Sequence, residues 1–110
     1  MKIKVNDYVR FNRGGVRIAK LIENINNSEF WKLDIQQVIL ENDIIKSSPN
    51  IIDLIEVGDY VNGWKVTQIT NSYVEICWGR DSDEFIKPEN IKSIVTKEMF
   101  EQIEYKIEKE

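Results

Sequence analysis

Polar and apolar positions alternate along this chain in short bursts. Val5, Asp7, Val9 and Phe11 interleave with Asn6, Tyr8 and Arg10, the period of two that marks a strand with one buried face. About fifty residues later the arrangement returns, with Val57, Asp59 and Val61 set against Gly58, Tyr60 and Asn62, so that IKVNDYV from Ile3 is matched by IEVGDYV from Ile55. Asn6 and Gly58 fill the same slot. They are the residue types that most readily accept positive φ, which predicts a bend or bulge ahead of each Asp-Tyr pair.

The correspondence runs on through the chain. GVRIAKLI from Gly15 lies over GWKVTQIT from Gly63, matching Ile18 to Val66 and Leu21 to Ile69. NNSEFWKL from Asn26 lies over TNSYVEIC from Thr70, giving each copy an Asn-Ser turn and a further strand. ILENDIIKS from Ile39 lies over IKPENIKS from Ile86, where Pro88 predicts one turn of 3₁₀ helix, with Ile44 and Ile91 pointing inward. Ser48 followed by Pro49 reads as a helix cap with a proline at the first turn, and Thr96 caps a longer helix. Each copy is thus four strands, a 3₁₀ turn, a fifth strand and a capped helical turn.

That order resembles a small SH3-like barrel, and VGDYV from Val57 resembles the first strand of SH3-like and KOW-type barrels. The expected fold is mostly β: two tandem SH3-like small barrels from an internal repeat, each closed by a short helical turn. The first would cover residues 1–47. Residues 48–54 form a packed connector, since Ile51, Ile52 and Leu54 are too apolar for a free linker. The second would cover residues 55–110, with the alternation of Tyr105 and Ile107 favouring a last strand to about Glu108.

Composition agrees with strands. Hydrophobic residues make up 42% and charged residues 31% of the chain, as in folded domains, and Ala19 is the single alanine, which disfavours long helices. The formal net charge is −4, which weighs against general affinity for nucleic acid. The charge is uneven: residues 1–50 carry eight Lys/Arg and six Asp/Glu, residues 51–110 seven and thirteen. Histidine is absent, which removes the commonest general base and zinc ligand. Cys77 stands alone, so no internal disulfide forms, and its place between Ile76 and Trp78 predicts a buried, inert thiol. No apolar run is long enough to span a bilayer, and MKIKVNDYV has no signal-peptide apolar region; a cytoplasmic location is expected.

The stretches SPNIIDLIEVGDYVNG from Ser48 and IKSIVTKEMFEQIEYKI from Ile91 resemble a family of small phage and prophage proteins of low-GC Gram-positive bacteria. The resemblance implies a phage or prophage source, hence the cytoplasm of a bacterial host, and brings no catalytic residues with it.

Features present in both copies point to folding, and features of one copy to function. Asp7 and Asp59 read as carboxylates that accept backbone N–H groups at a turn. Tyr8 and Tyr60 read either as an aromatic edge that grips extended peptides or as cross-strand packing. RFNRGGVR, residues 10–17, belongs to the first copy alone. Gly14 and Gly15 would make a hairpin tip around which Arg10, Arg13 and Arg17 crowd Phe11, with Lys20 beyond. Such a cluster meets phosphates or an acidic protein surface, or serves solubility. WGRDSDEF, residues 78–85, belongs to the second copy alone, but Asp81, Asp83 and Glu84 lack the remaining ligands of a calcium loop. Trp31 and Trp78 read as core, and Trp64, after Asn62-Gly63, as a partly exposed anchor. With no catalytic grouping, metal site or cofactor motif in view, the expectation is a non-enzymatic module that binds a host or phage protein, such as a host enzyme or defence complex. A nucleic-acid accessory protein and a self-assembling phage component are the alternatives.

Overall fold

A computed structural model of the protein describes residues 3–77 and 83–103. The described strands are β1 (Tyr8–Asn12), β2 (Val16–Asn24), β3 (Phe30–Leu33), β4 (Val38–Leu40), β5 (Ile44–Ser48), β6 (Tyr60–Val61), β7 (Trp64–Ile69), β8 (Val74–Cys77), β9 (Asp83–Ile86) and β10 (Ile94–Val95), followed by the helix α1 (Lys97–Ile103). They form two five-stranded antiparallel sheets. The order of the first is β4-β3-β2-β1-β5 and that of the second, read in the same direction, is β9-β8-β7-β6-β10. The strand order is therefore the same in both.

The likeness extends to single hydrogen bonds. Asn6 (φ 76°) and Gly58 (φ 98°) both have positive φ. The Asn6 N–H donates to the Leu21 carbonyl and the Gly58 N–H to the Val66 carbonyl, while Leu21 and Val66 donate back to the Asp7 and Asp59 carbonyls. A bulge follows in each case, between Leu21 and Glu23 and between Val66 and Gln68. Leu21 and Val66 are therefore equivalent, which corrects the match of Ile18 to Val66. The first hairpin is longer than the second. Aligning its Gly15 with Gly63 displaced everything on β2.

Each sheet buries its own cluster. Val9, Phe11, Ala19, Leu21, Trp31, Leu33, Ile39 and Ile44 form the first, with Ile3 against it. Ile55, Val61, Val66, Val74, Ile76 and Ile86 form the second, with Ile18, Ile69, Ile91 and Ile94 against it. Ile44 and Ile91 follow the 3₁₀ turns Glu41–Asp43 and Pro88–Asn90, as the sequence implied. Ile18 thus crosses the seam from the first sheet to the second core. Among the described residues no pairing joins β4 to β5 or β9 to β10, so the sheets are open and the expected barrel closure is not seen. The brevity of β4 and β10 leaves little edge with which to close.

Cys77 is exposed, contrary to the sequence reading. Val74 and Ile76 face the core, so the period of two turns Glu75 and Cys77 outward. Trp31 is buried, whereas Trp78, most of the acidic hairpin and the anticipated last strand fall outside the described residues. No described helix is long and apolar enough to cross a membrane.

Candidate functional site

The alternation along β1 decides where its side chains go. Val9 and Phe11 enter the first core, so Tyr8 and Arg10 face the other way, toward the second sheet. Arg10 is not on a hairpin tip: its side chain is 2% exposed. Its Nη1 donates to the Leu54 carbonyl at 3.0 Å and to Asp59 Oδ2 at 2.6 Å. Its Nη2 donates to Asp59 Oδ1 at 3.1 Å and to both Glu98 oxygens at 2.9 Å, and its Nε lies 3.5 Å from Glu56 Oε2. Burial alone would lower the Arg10 pKa, but the hydrogen bonds and charge of Asp59, helped by Glu98 and Glu56, hold it above its usual value.

Asp59 is fully buried and fully satisfied. Besides the Arg10 fork it accepts the Glu56 N–H at 2.8 Å and the Lys97 N–H at 2.9 Å. Asp7 accepts the Lys4 N–H in the equivalent turn, so both carboxylates serve the turn role read from the sequence. The seam is fastened again by Thr96. Its hydroxyl accepts the Met99 N–H, capping α1, and donates to the Val16 carbonyl on β2. Lys97 Nζ donates to Glu56 Oε1 at 2.7 Å, and this hydrogen bond, helped by the charges of Glu56, Glu98 and Asp59, holds the Lys97 pKa above its usual value.

The other residues singled out in the sequence are scattered. Phe11 is wholly buried in the first core. Arg13 is exposed and pairs with Asp43 at 3.0 Å. Arg17 is exposed, and Lys20 Nζ stands 5.7 Å from the centre of the half-buried Tyr8 ring. Tyr60 stacks on Phe100 of α1 with ring centres 4.1 Å apart, and Trp64 is 45% exposed. The expected convergence of three arginines around Phe11 does not occur, because strand parity sends Arg10 into the seam and Phe11 into the core.

A feature missed in the sequence lies beside that seam. Between β2 and β10 runs a cleft of about 330 Å³ lined by Val16, Ile18, Ile94, Val95 and Met99, with Ile35 at its lip. It continues past Ile18 and Ile94 toward Lys20, Asp34 and Lys92. The signal was present in Ile18 and Ile35, apolar residues at positions the first core does not use. Among the described residues no group of three or more acidic or cysteine side chains is placed to hold a metal ion. Comparison with protein-family models, with curated proteins and with solved structures finds no match to this chain.

Proposed function

We propose that the chain is a non-catalytic protein-binding module built from two SH3-like units related by internal duplication, and that it acts on a host or phage protein in the cytoplasm of a phage-infected or lysogenic bacterium. The observation that carries this reading is the apolar cleft at the seam of the two sheets. Clefts with this lining exclude water from a partner's side chains and so favour protein segments over polyanions. Exposed aromatic residues elsewhere, Trp64 at 45% and Phe85 at 58%, add the kind of side chain that anchors interfaces. The nucleic-acid alternative loses a cation, since the Arg10 guanidinium is enclosed by carboxylates and Arg13 is already paired.

The test is affinity capture from a low-GC Gram-positive lysate, followed by reconstitution of the complex from purified components. A one-to-one complex that survives moderate salt is expected. Binding only to DNA or RNA, with the steep salt dependence of phosphate contacts, would favour the nucleic-acid alternative. Large homo-oligomers by light scattering, with no captured partner, would favour self-assembly.

A further inference from the structure

We infer that the cleft between β2 and β10 takes up an extended, acidic segment of a partner protein as an added strand; this rests on the protein-binding reading above. Main-chain parity supplies the docking groups. The Lys20 carbonyl accepts the Asp34 N–H and the Lys20 N–H donates to Asp34 Oδ1, so Lys20 turns its main chain away from β1. Val16 does the same, its carbonyl accepting the Thr96 hydroxyl. Ile18 lies midway between them and presents its N–H and C=O in the same direction. β3 pairs with β2 from Leu21 onward and does not cover Ile18.

β10 offers a matching edge. The Asn62 N–H bonds the Ser93 carbonyl, so Ser93 faces β6 and Ile94, next in line opposite Val61, turns its N–H and C=O outward. β10 is the outermost strand of its sheet. Ile18 and Ile94 therefore offer strand edges to the cleft, and an extended peptide satisfies such edges by main-chain hydrogen bonding.

Side chains set the chemistry of the occupant. Ile18, Ile35 (42% exposed), Ile94 and Val95 form an apolar floor and lip. Arg17, Lys20 and Lys92 stand along it, and none of the three makes an ion pair among the described residues. Asp34 is the carboxylate among the lining residues, and its Oδ1 is engaged by the Lys20 amide. A segment that alternates branched apolar residues with Asp or Glu complements this surface on both counts.

The experiment titrates the isotopically labelled full chain with a short synthetic peptide alternating Val and Glu, and follows the backbone amide signals. Saturable shifts centred on Ile18 and Ile94 are expected. A peptide with Lys in place of Glu, and one with a central Pro that removes a main-chain donor, should each bind about tenfold more weakly or worse. Ile35→Glu, at an exposed position that leaves the core intact, should weaken the Val-Glu peptide by a similar factor. No shift at Ile18 and Ile94, equal binding of the Pro-interrupted peptide, or tighter binding of a single-stranded oligonucleotide at the same amides overturns the inference. The two readings fail separately: a partner captured equally by the wild-type chain and by Ile35→Glu removes this site and leaves the binding module standing.

Discussion

Asp7 and Asp59 close the same turn in the two halves, yet their surroundings differ. Asp7 accepts a backbone N–H from Lys4. Asp59 accepts its own turn N–H and, in addition, both arms of the Arg10 guanidinium and the first amide of α1. The position that holds Arg10 on β1 in the first half holds Asn62 in the second, in the turn just after β6, where the side chain instead accepts the Lys92 and Ser93 amides. The difference teaches how two similar sheets become one asymmetric body. One half supplies a cation from β1, the other supplies the carboxylates, and the shared turn is the socket. A buried ion pair of this kind adds little over a well-packed apolar contact, but removal of one partner leaves an enclosed, uncompensated charge. It fixes which face meets which, and the whole chain is expected to unfold in one transition.

The largest effects should come from the two core positions now known to be equivalent. Leu21→Asp and Val66→Asp each bury an unpaired carboxylate and should cost more than about 4 kcal/mol. Ile18→Asp, at the edge of the cleft, should cost under about 2 kcal/mol. Denaturant unfolding of the three variants checks this, and similar losses at Ile18 and Val66 would restore the correspondence read from the sequence.

The twin turns come next. Asp59→Asn should destabilise by about 3 kcal/mol because Arg10 loses its one fully buried counter-charge and keeps only the partly exposed Glu98 and Glu56, whereas Asp7→Asn should cost about 1 kcal/mol, one hydrogen bond to a backbone amide. Equal losses in unfolding experiments would mean that the turn, not the seam, is what these residues hold. A smaller contrast separates the residues before them. Gly58→Ala forces a side chain into positive φ and should cost about 1 kcal/mol, since the added methyl would meet the Lys97 side chain only at ordinary contact distance. Asn6→Gly, which keeps that backbone accessible, should stay within about 0.5 kcal/mol.

The smallest effect belongs to the exposed Lys97–Glu56 pair. The Lys97 pKa is raised in the folded state. Its contribution is therefore fully present below the unfolded-state pKa and is lost as pH rises through the folded one. Lys97→Met should cost under about 0.5 kcal/mol near neutrality, and the gap from wild type should close as pH rises through the alkaline range.

Much of the fold was legible because it rests on local chemistry. Positive φ at Asn6 and Gly58, the 3₁₀ turn at Pro88 and the Thr96 cap are each written in the residues that form them. The repeated order of elements followed from the same signals. What escaped were consequences of parity and of distance along the chain. The alternation already set Arg10 opposite Val9 and Phe11, but nothing local names Asp59 and Glu98 as its partners, so the arginine was read with its neighbours Arg13 and Arg17. Cys77 was misplaced because its flanking residues are apolar, although Ile76 beside it takes the core face. The cleft left only a partial trace, the apolar Ile18 and Ile35, for a related reason: it exists only where β2 and β10, far apart in sequence, come together.

The most direct test of the Arg10–Asp59 pair as the fastening between the halves is a double-mutant cycle on Arg10→Gln and Asp59→Asn, read as unfolding free energies. A coupling above about 2 kcal/mol is predicted, with the double variant more stable than the sum of the single losses implies. A coupling below about 0.5 kcal/mol would show that the two residues act independently and that the halves are joined by something else.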